Sequence, residues 1–145
     1  MKLLFVCTGN ICRSAMAEFL ARKIATDRGV TVEARSCGVA AETFYRVPPE
    51  VWTAIKADGV VAAEHKPQLV SRPLLAWADW ALVMTREHRA ELLDAFPEHR
   101  SKIRLLREHA GLGGEVADPY GSSLPAYVKS RAEIYAALDK IIPAR

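Results

Sequence analysis

A chain of 145 residues, half apolar and about a quarter charged, fits one globular domain spanning residues 1–145 and has enough apolar material for a real core. Its 20 basic and 17 acidic residues are dispersed, without the basic stripe of a nucleic-acid binder, and no apolar run approaches the roughly 18 residues of a membrane span. Three cysteines, all within the first 37 positions, make no disulfide framework, and no signal-peptide layout opens the chain, so a reduced, cytoplasmic protein is expected.

The first predicted strand, Leu3–Val6, is wholly apolar, as a strand buried on both faces should be. It runs into Cys7, and Arg13 follows at Cys-x5-Arg spacing, just where a helix over Ser14–Arg28 begins. A loop of that length can curl its backbone N–H groups around one oxyanion, and the positive end of the helix points at the same place. A thiol there, beside a helix N-terminus and an arginine, is placed to act as a nucleophile. Thr8, Gly9, Asn10, Ile11, Cys12, Arg13 and Ser14 form the candidate phosphate-binding loop. Gly9 and Asn10 tolerate the positive φ of a tight curl. Arg13 offers a planar fork that lysine cannot copy. Ser14 either donates to the Cys7 sulfur or caps the helix, and the two roles are compatible. Cys12 is either a packed thiol or the partner of a reversible, protective disulfide with Cys7.

Further along, Ala17, Leu20, Ala21 and Ile24 recur at helical spacing, and Gly29 is placed to end that helix. Strands are predicted at Thr31–Ser36, Trp80–Met84 and Ile103–Leu106, and helices at Pro49–Ala57, Arg86–Phe96 and Leu124–Ile142. Cys37, after the second strand, reads as core. This alternation argues for a three-layer α/β/α domain on a doubly wound parallel sheet, with ligands bound beyond the carboxyl ends of its strands. Cys7 stands at such an end. Phosphoryl transfer to sulfur needs a proton for the departing oxygen, and Asp118, stiffened by Pro119, is the best candidate acid.

Cys7-Thr-Gly-Asn-Ile-Cys-Arg-Ser14 together with Asp118-Pro-Tyr120 resembles the low-molecular-weight protein tyrosine phosphatase family, close to its bacterial arginine-phosphatase branch. The resemblance spans essentially the whole chain. It implies a flavodoxin-like fold with a central four-stranded parallel sheet. It also implies Cys7 as nucleophile, Arg13 as phosphate ligand and Asp118 as general acid, with Asn10 and Ser14 shaping the loop. Tyr120 would be an aromatic wall, with Ile11 beside it, and Phe44 and Tyr45 occupy the loop where the family often places a specificity-setting residue. No metal or organic cofactor is expected. The partners would be phosphorylated proteins, with inorganic phosphate as product and a monomer as the working unit.

The arginine-phosphatase branch typically carries threonine where this chain has Ile11, which suits a flat ring better than a phosphoguanidinium. Phosphotyrosine is therefore preferred over phosphoarginine. Ala15 stands where many relatives have proline. Arsenate reductases of similar fold relay oxidation through downstream cysteines, and none follows Cys37 here. A silent phosphate-binding module would lack an acid, against which Asp118 argues. The four histidines, His65, His88, His99 and His109, lack metal-ligand spacing. His65 belongs either to the surface or to a shell that supports the loop.

Overall fold

Strand β1 spans Lys2–Cys7, and its Leu3, Leu4, Phe5 and Val6 are fully buried. In the computed structural model, which describes residues 1–144, this strand lies inside a sheet covered on both faces. Side chains alternate across a strand, so Leu3, Phe5 and Cys7 enter one core while Leu4 and Val6 enter the other. That two-sided burial explains the unbroken apolar run.

Strands β2 (Glu33–Gly38), β3 (Trp80–Val83) and β4 (Ile103–Leu105) complete a parallel sheet of order β2-β1-β3-β4. The order reverses beside β1, which makes its carboxyl end the switch point where open α/β sheets leave a crevice. Helices α1 (Arg13–Arg28), α2 (Pro49–Lys56) and α6 (Leu124–Ile141) pack with the Phe5 side of the sheet. Helices α3 (Arg72–Trp77) and α4 (Arg86–Ala95) cover the Val6 side through Leu74, Leu75 and Leu92.

The predicted elements are all present, with ends displaced by one or two residues. The second strand starts at Glu33 rather than Thr31 and continues to Gly38, because Glu33–Gly38 is the stretch in register with β1. Gly29 ends α1 at φ 67°, its N–H reaching the carbonyls of Ala25 and Thr26. Three short elements carry too little periodicity to be predicted: α3, a 3-10 turn over Pro97–Lys102, and α5 (Leu106–His109). Leu106 opens α5 instead of closing the fourth strand. No helix among the described residues is long and apolar enough to cross a membrane.

Candidate active site

The loop after β1 returns to the sheet through its own backbone. Val39 N–H donates to the Cys7 carbonyl and Ala40 N–H to the Thr8 carbonyl, each at 2.9 Å. This strapping requires the absence of a side chain at Gly38, where a Cβ would stand 2.3 Å from the Thr8 carbonyl oxygen. Asn10 supplies the turn itself, as the one described non-glycine residue with positive φ, at 59°. Gly9, expected to share that conformation, does not adopt it; a Cβ there would meet only ordinary contacts with Tyr45 and Ile11.

Asn10 is fully buried and holds the loop through both ends of its amide. Its Nδ2 donates to Ser14 Oγ at 2.8 Å and to Ser36 Oγ at 2.9 Å, while its Oδ1 accepts from Gln68 N at 3.0 Å. Ser36 passes its own proton to Glu18 Oε1 at 2.7 Å, and Arg22 neutralises that carboxylate at 2.8 Å. Ser14 Oγ, which accepts from Asn10 Nδ2, lies 2.9 Å from Cys7 Sγ, where its hydroxyl can donate to a thiolate. Ser14 lies inside the first turn of α1 and does not cap it. Cys12 occupies the cap position without a capping side-chain bond. Among the described residues the first N–H groups of α1 therefore have no side-chain partner, and no acidic residue sits in its first turn.

Arg13 is only 3% exposed. Its Nη1 donates to the Val116 carbonyl at 3.0 Å and its Nη2 to Thr8 Oγ1 at 3.4 Å, with Asp118 Oδ2 3.7 Å from Nη2. Its Nε is buried with no partner among the described residues. A donor left so costs about 1–3 kcal/mol unless a ligand supplies an acceptor. Asp118 is half exposed, and its Oδ1 accepts from Tyr120 N at 3.1 Å.

These groups enclose a cavity of about 230 Å³, with Cys7 and Arg13 at its base and Ile11, Tyr45, Asp118 and Tyr120 around it. Phe44 is not part of this wall; it is 75% exposed and meets Tyr45 edge-on, with ring centroids 5.1 Å apart. Of the residues expected in the wall, Ile11, Tyr45 and Tyr120 line the cavity and Phe44 does not. All three cysteines are free thiols, so no Cys7–Cys12 bridge is present. Burial, the negative forms of Cys7 and Asp118 adding to it, pushes the Cys12 thiol up to about 12. Burial raises the Cys37 thiol as well. Both stay protonated at neutral pH.

Two histidines reach the loop: His65, for which a supporting role was one of two readings, and His88, which the sequence left without a place. His65 Nε2 lies 2.8 Å from the Asn10 carbonyl, which puts it in the supporting shell, not on the surface. His88 is buried, with Nε2 2.8 Å from Thr8 Oγ1. Ser36 and Gln68 were equally invisible. Each acts across more than 25 positions, and the only local signal was Gly38 closing the second strand.

The family model described as low molecular weight phosphotyrosine protein phosphatase matches residues 2–144. A protein-arginine-phosphatase of Bacillus subtilis (strain 168) is 36% identical over 135 residues, covering 92% of this chain and 89% of that protein. The low molecular weight protein-tyrosine-phosphatase PtpB of Staphylococcus aureus is 30% identical over 141 residues, covering 97% and 96%. A crystal structure of a low molecular weight protein tyrosine phosphatase from T. tengcongensis superposes with a TM-score of 0.93 at 36% identity, over 98% of this chain and 97% of that one.

Proposed function

The chain belongs to the low molecular weight phosphotyrosine protein phosphatase family and is a cysteine-dependent phosphatase, and we propose that it hydrolyses phosphotyrosine in proteins by way of a phosphocysteine on Cys7. The observation that carries this reading is the composition of the crevice. Tyr45 and Tyr120 line a cavity of about 230 Å³ above Cys7, beside a buried guanidinium with an unspent N–H. That volume, below the roughly 300–1,000 Å³ typical of small-molecule pockets, is of the order of one protein side chain. Two phenol rings and the apolar Ile11 offer flat contact to an aromatic ring.

The phosphoryl oxygens sit among the loop N–H groups, the start of α1 and Arg13. The Nε of Arg13 gains there the acceptor it otherwise lacks. Cys7 Sγ attacks phosphorus as the bond to the tyrosyl oxygen breaks, and Asp118 gives that oxygen its proton. Asp118, now a carboxylate, takes a proton from water as the water attacks the phosphocysteine. Inorganic phosphate leaves, and the returning thiolate is met by the Ser14 hydroxyl. Because every donor is already aimed, most of the acceleration is electrostatic.

Similarity to an arginine phosphatase supports a second reading, phosphoarginine. The crevice argues against it. Asp118 is the sole carboxylate among its lining residues, it faces Arg13, and Ile11 has no hydroxyl for a guanidinium. Turnover of phosphotyrosine and phosphoarginine peptides by the wild type and by Ile11→Thr tests the choice. The wild type is expected to prefer phosphotyrosine. Ile11→Thr should shift the ratio towards phosphoarginine by about tenfold, the worth of one hydrogen bond. A strong wild-type preference for phosphoarginine would overturn the assignment.

A further inference from the structure

His88 takes no part in the sequence of steps above, yet it is 4% exposed and reaches the loop from another element. It stands in the first turn of α4, whose start Thr85 caps by accepting from His88 N at 3.2 Å. Helix α4 begins just past the carboxyl end of β3, the neighbour of β1, so its first turn lies alongside the Cys7 loop.

Burial, with the Arg13 charge adding to it, pushes the imidazole down to about 4. The ring is therefore neutral at physiological pH, with one N–H and one bare nitrogen. Among the described residues Nδ1 is buried without a partner, whereas Nε2 is 2.8 Å from Thr8 Oγ1. A proton on Nδ1 would be a buried N–H with nothing to receive it, the rarer and costlier arrangement. The proton is thus assigned to Nε2, which donates to Thr8. Thr8 Oγ1 also accepts from Arg13 Nη2 at 3.4 Å, so both lone pairs of the hydroxyl are engaged. Its own proton finds no acceptor among the described residues and takes the remaining direction. Thr8 is exposed and lines the crevice, so that direction leads to bound ligand.

We propose that His88 is a positioning residue: by donating to Thr8 it turns the Thr8 hydroxyl into an obligate donor to an oxygen of the phosphoryl group held over Cys7. The loop then presents a side-chain donor in addition to its backbone and Arg13. The proposal rests on the phosphocysteine reading and adds to it one residue in contact with substrate and one acting through that residue.

The test uses phosphotyrosine-peptide turnover, inhibition by inorganic phosphate and thermal melting of each variant. Thr8→Val is expected to lower kcat/KM about tenfold and to raise the inhibition constant of phosphate alongside it, while Thr8→Ser keeps most of the activity. His88→Leu should lose about three- to tenfold, and His88→Gln, which can place an N–H where Nε2 was, should recover most of that loss. The double variant Thr8→Val/His88→Leu should be no slower than Thr8→Val alone, because the histidine has nothing left to orient. Multiplying losses in the double variant would overturn the proposal by making His88 a packing residue only, as would Thr8→Val turning over like the wild type. Cys7→Ser separates the two levels. If it still hydrolyses the peptide, the phosphocysteine reading fails; if it is inactive while Thr8→Val is unaffected, only the role of His88 and Thr8 fails.

Discussion

At the scale of single residues, the different roles proposed for Arg13 and Asp118 follow from their different surroundings. The Arg13 side chain is 4% exposed and that of Asp118 51%, with 3.7 Å between their closest atoms. The guanidinium spends Nη1 on the Val116 carbonyl and Nη2 on Thr8, which locks its plane and leaves Nε for a ligand. A lysine ammonium, with its donors diverging from a single nitrogen, could not match that planar spread. Asp118 is held more loosely, by one backbone N–H from Tyr120 in a loop stiffened by Pro119. It keeps the contact with water that a proton carrier needs. Asp118→Ala should therefore slow hydrolysis of phosphotyrosine by about 10²–10³-fold, within the usual range for general acid catalysis. An activated aryl phosphate, whose leaving group needs little protonation, should lose far less. Leaving-group dependence of kcat across a series of aryl phosphates checks this; a slope unchanged by the substitution would remove Asp118 from the mechanism.

At the scale of elements, the loop is shaped as much by β2 as by its own residues. Backbone bonds tie Cys7 and Thr8 to Val39 and Ala40, and they can form only because Gly38 has no Cβ to strike the Thr8 carbonyl at 2.3 Å. Gly9 has no comparable constraint, since its φ is not positive and its added Cβ would find 3.5 Å contacts. Gly38→Ala is expected to cost about 1–3 kcal/mol of stability, as overpacking against backbone does, and to lower kcat/KM with it. Gly9→Ala should stay within about 0.5 kcal/mol of the wild type. Urea unfolding of both variants decides, and equal stabilities would show the junction to be more compliant than its geometry suggests. The contrast between these two glycines also shows what a sequence hides. Cys7, Arg13 and the helix after them were legible because strand, loop and helix are consecutive. The clash at Gly38 depends on parallel pairing of β2 with β1, a relation between segments 31 positions apart. The short helices α3 and α5, of 6 and 4 residues, were missed for a different reason: neither is long enough to repeat an apolar stripe.

At the scale of the whole molecule, the sheet separates two cores and opens its crevice where strand order reverses, and the order of elements alone anticipated that much. Of the buried polar shell only His65 was open to such a role in the sequence; Gln68 and His88 were not anticipated, because they reach Asn10 and Thr8 from 58 and 80 positions away. One consequence of that shell concerns the response of the fold to acid. His88 is buried beside Arg13, and its pKa falls from an ordinary 6.5 to about 4; His109 is lowered too, by burial and by Arg104. The unfolded chain binds a proton at His88 near pH 6.5, whereas the folded chain resists it until about pH 4. Between those values the unfolded state holds more protons, so stability declines as pH falls through this window and levels off for this group below it. A shift of that size corresponds to about 3 kcal/mol, at 1.36 kcal/mol for each pKa unit. His88→Gln cannot take up the proton, so its stability should change less between pH 7 and pH 4 than that of the wild type, by an amount of that order. Urea denaturation at a series of pH values measures both curves, and parallel curves would show that His88 gains its proton as easily inside the fold as outside it.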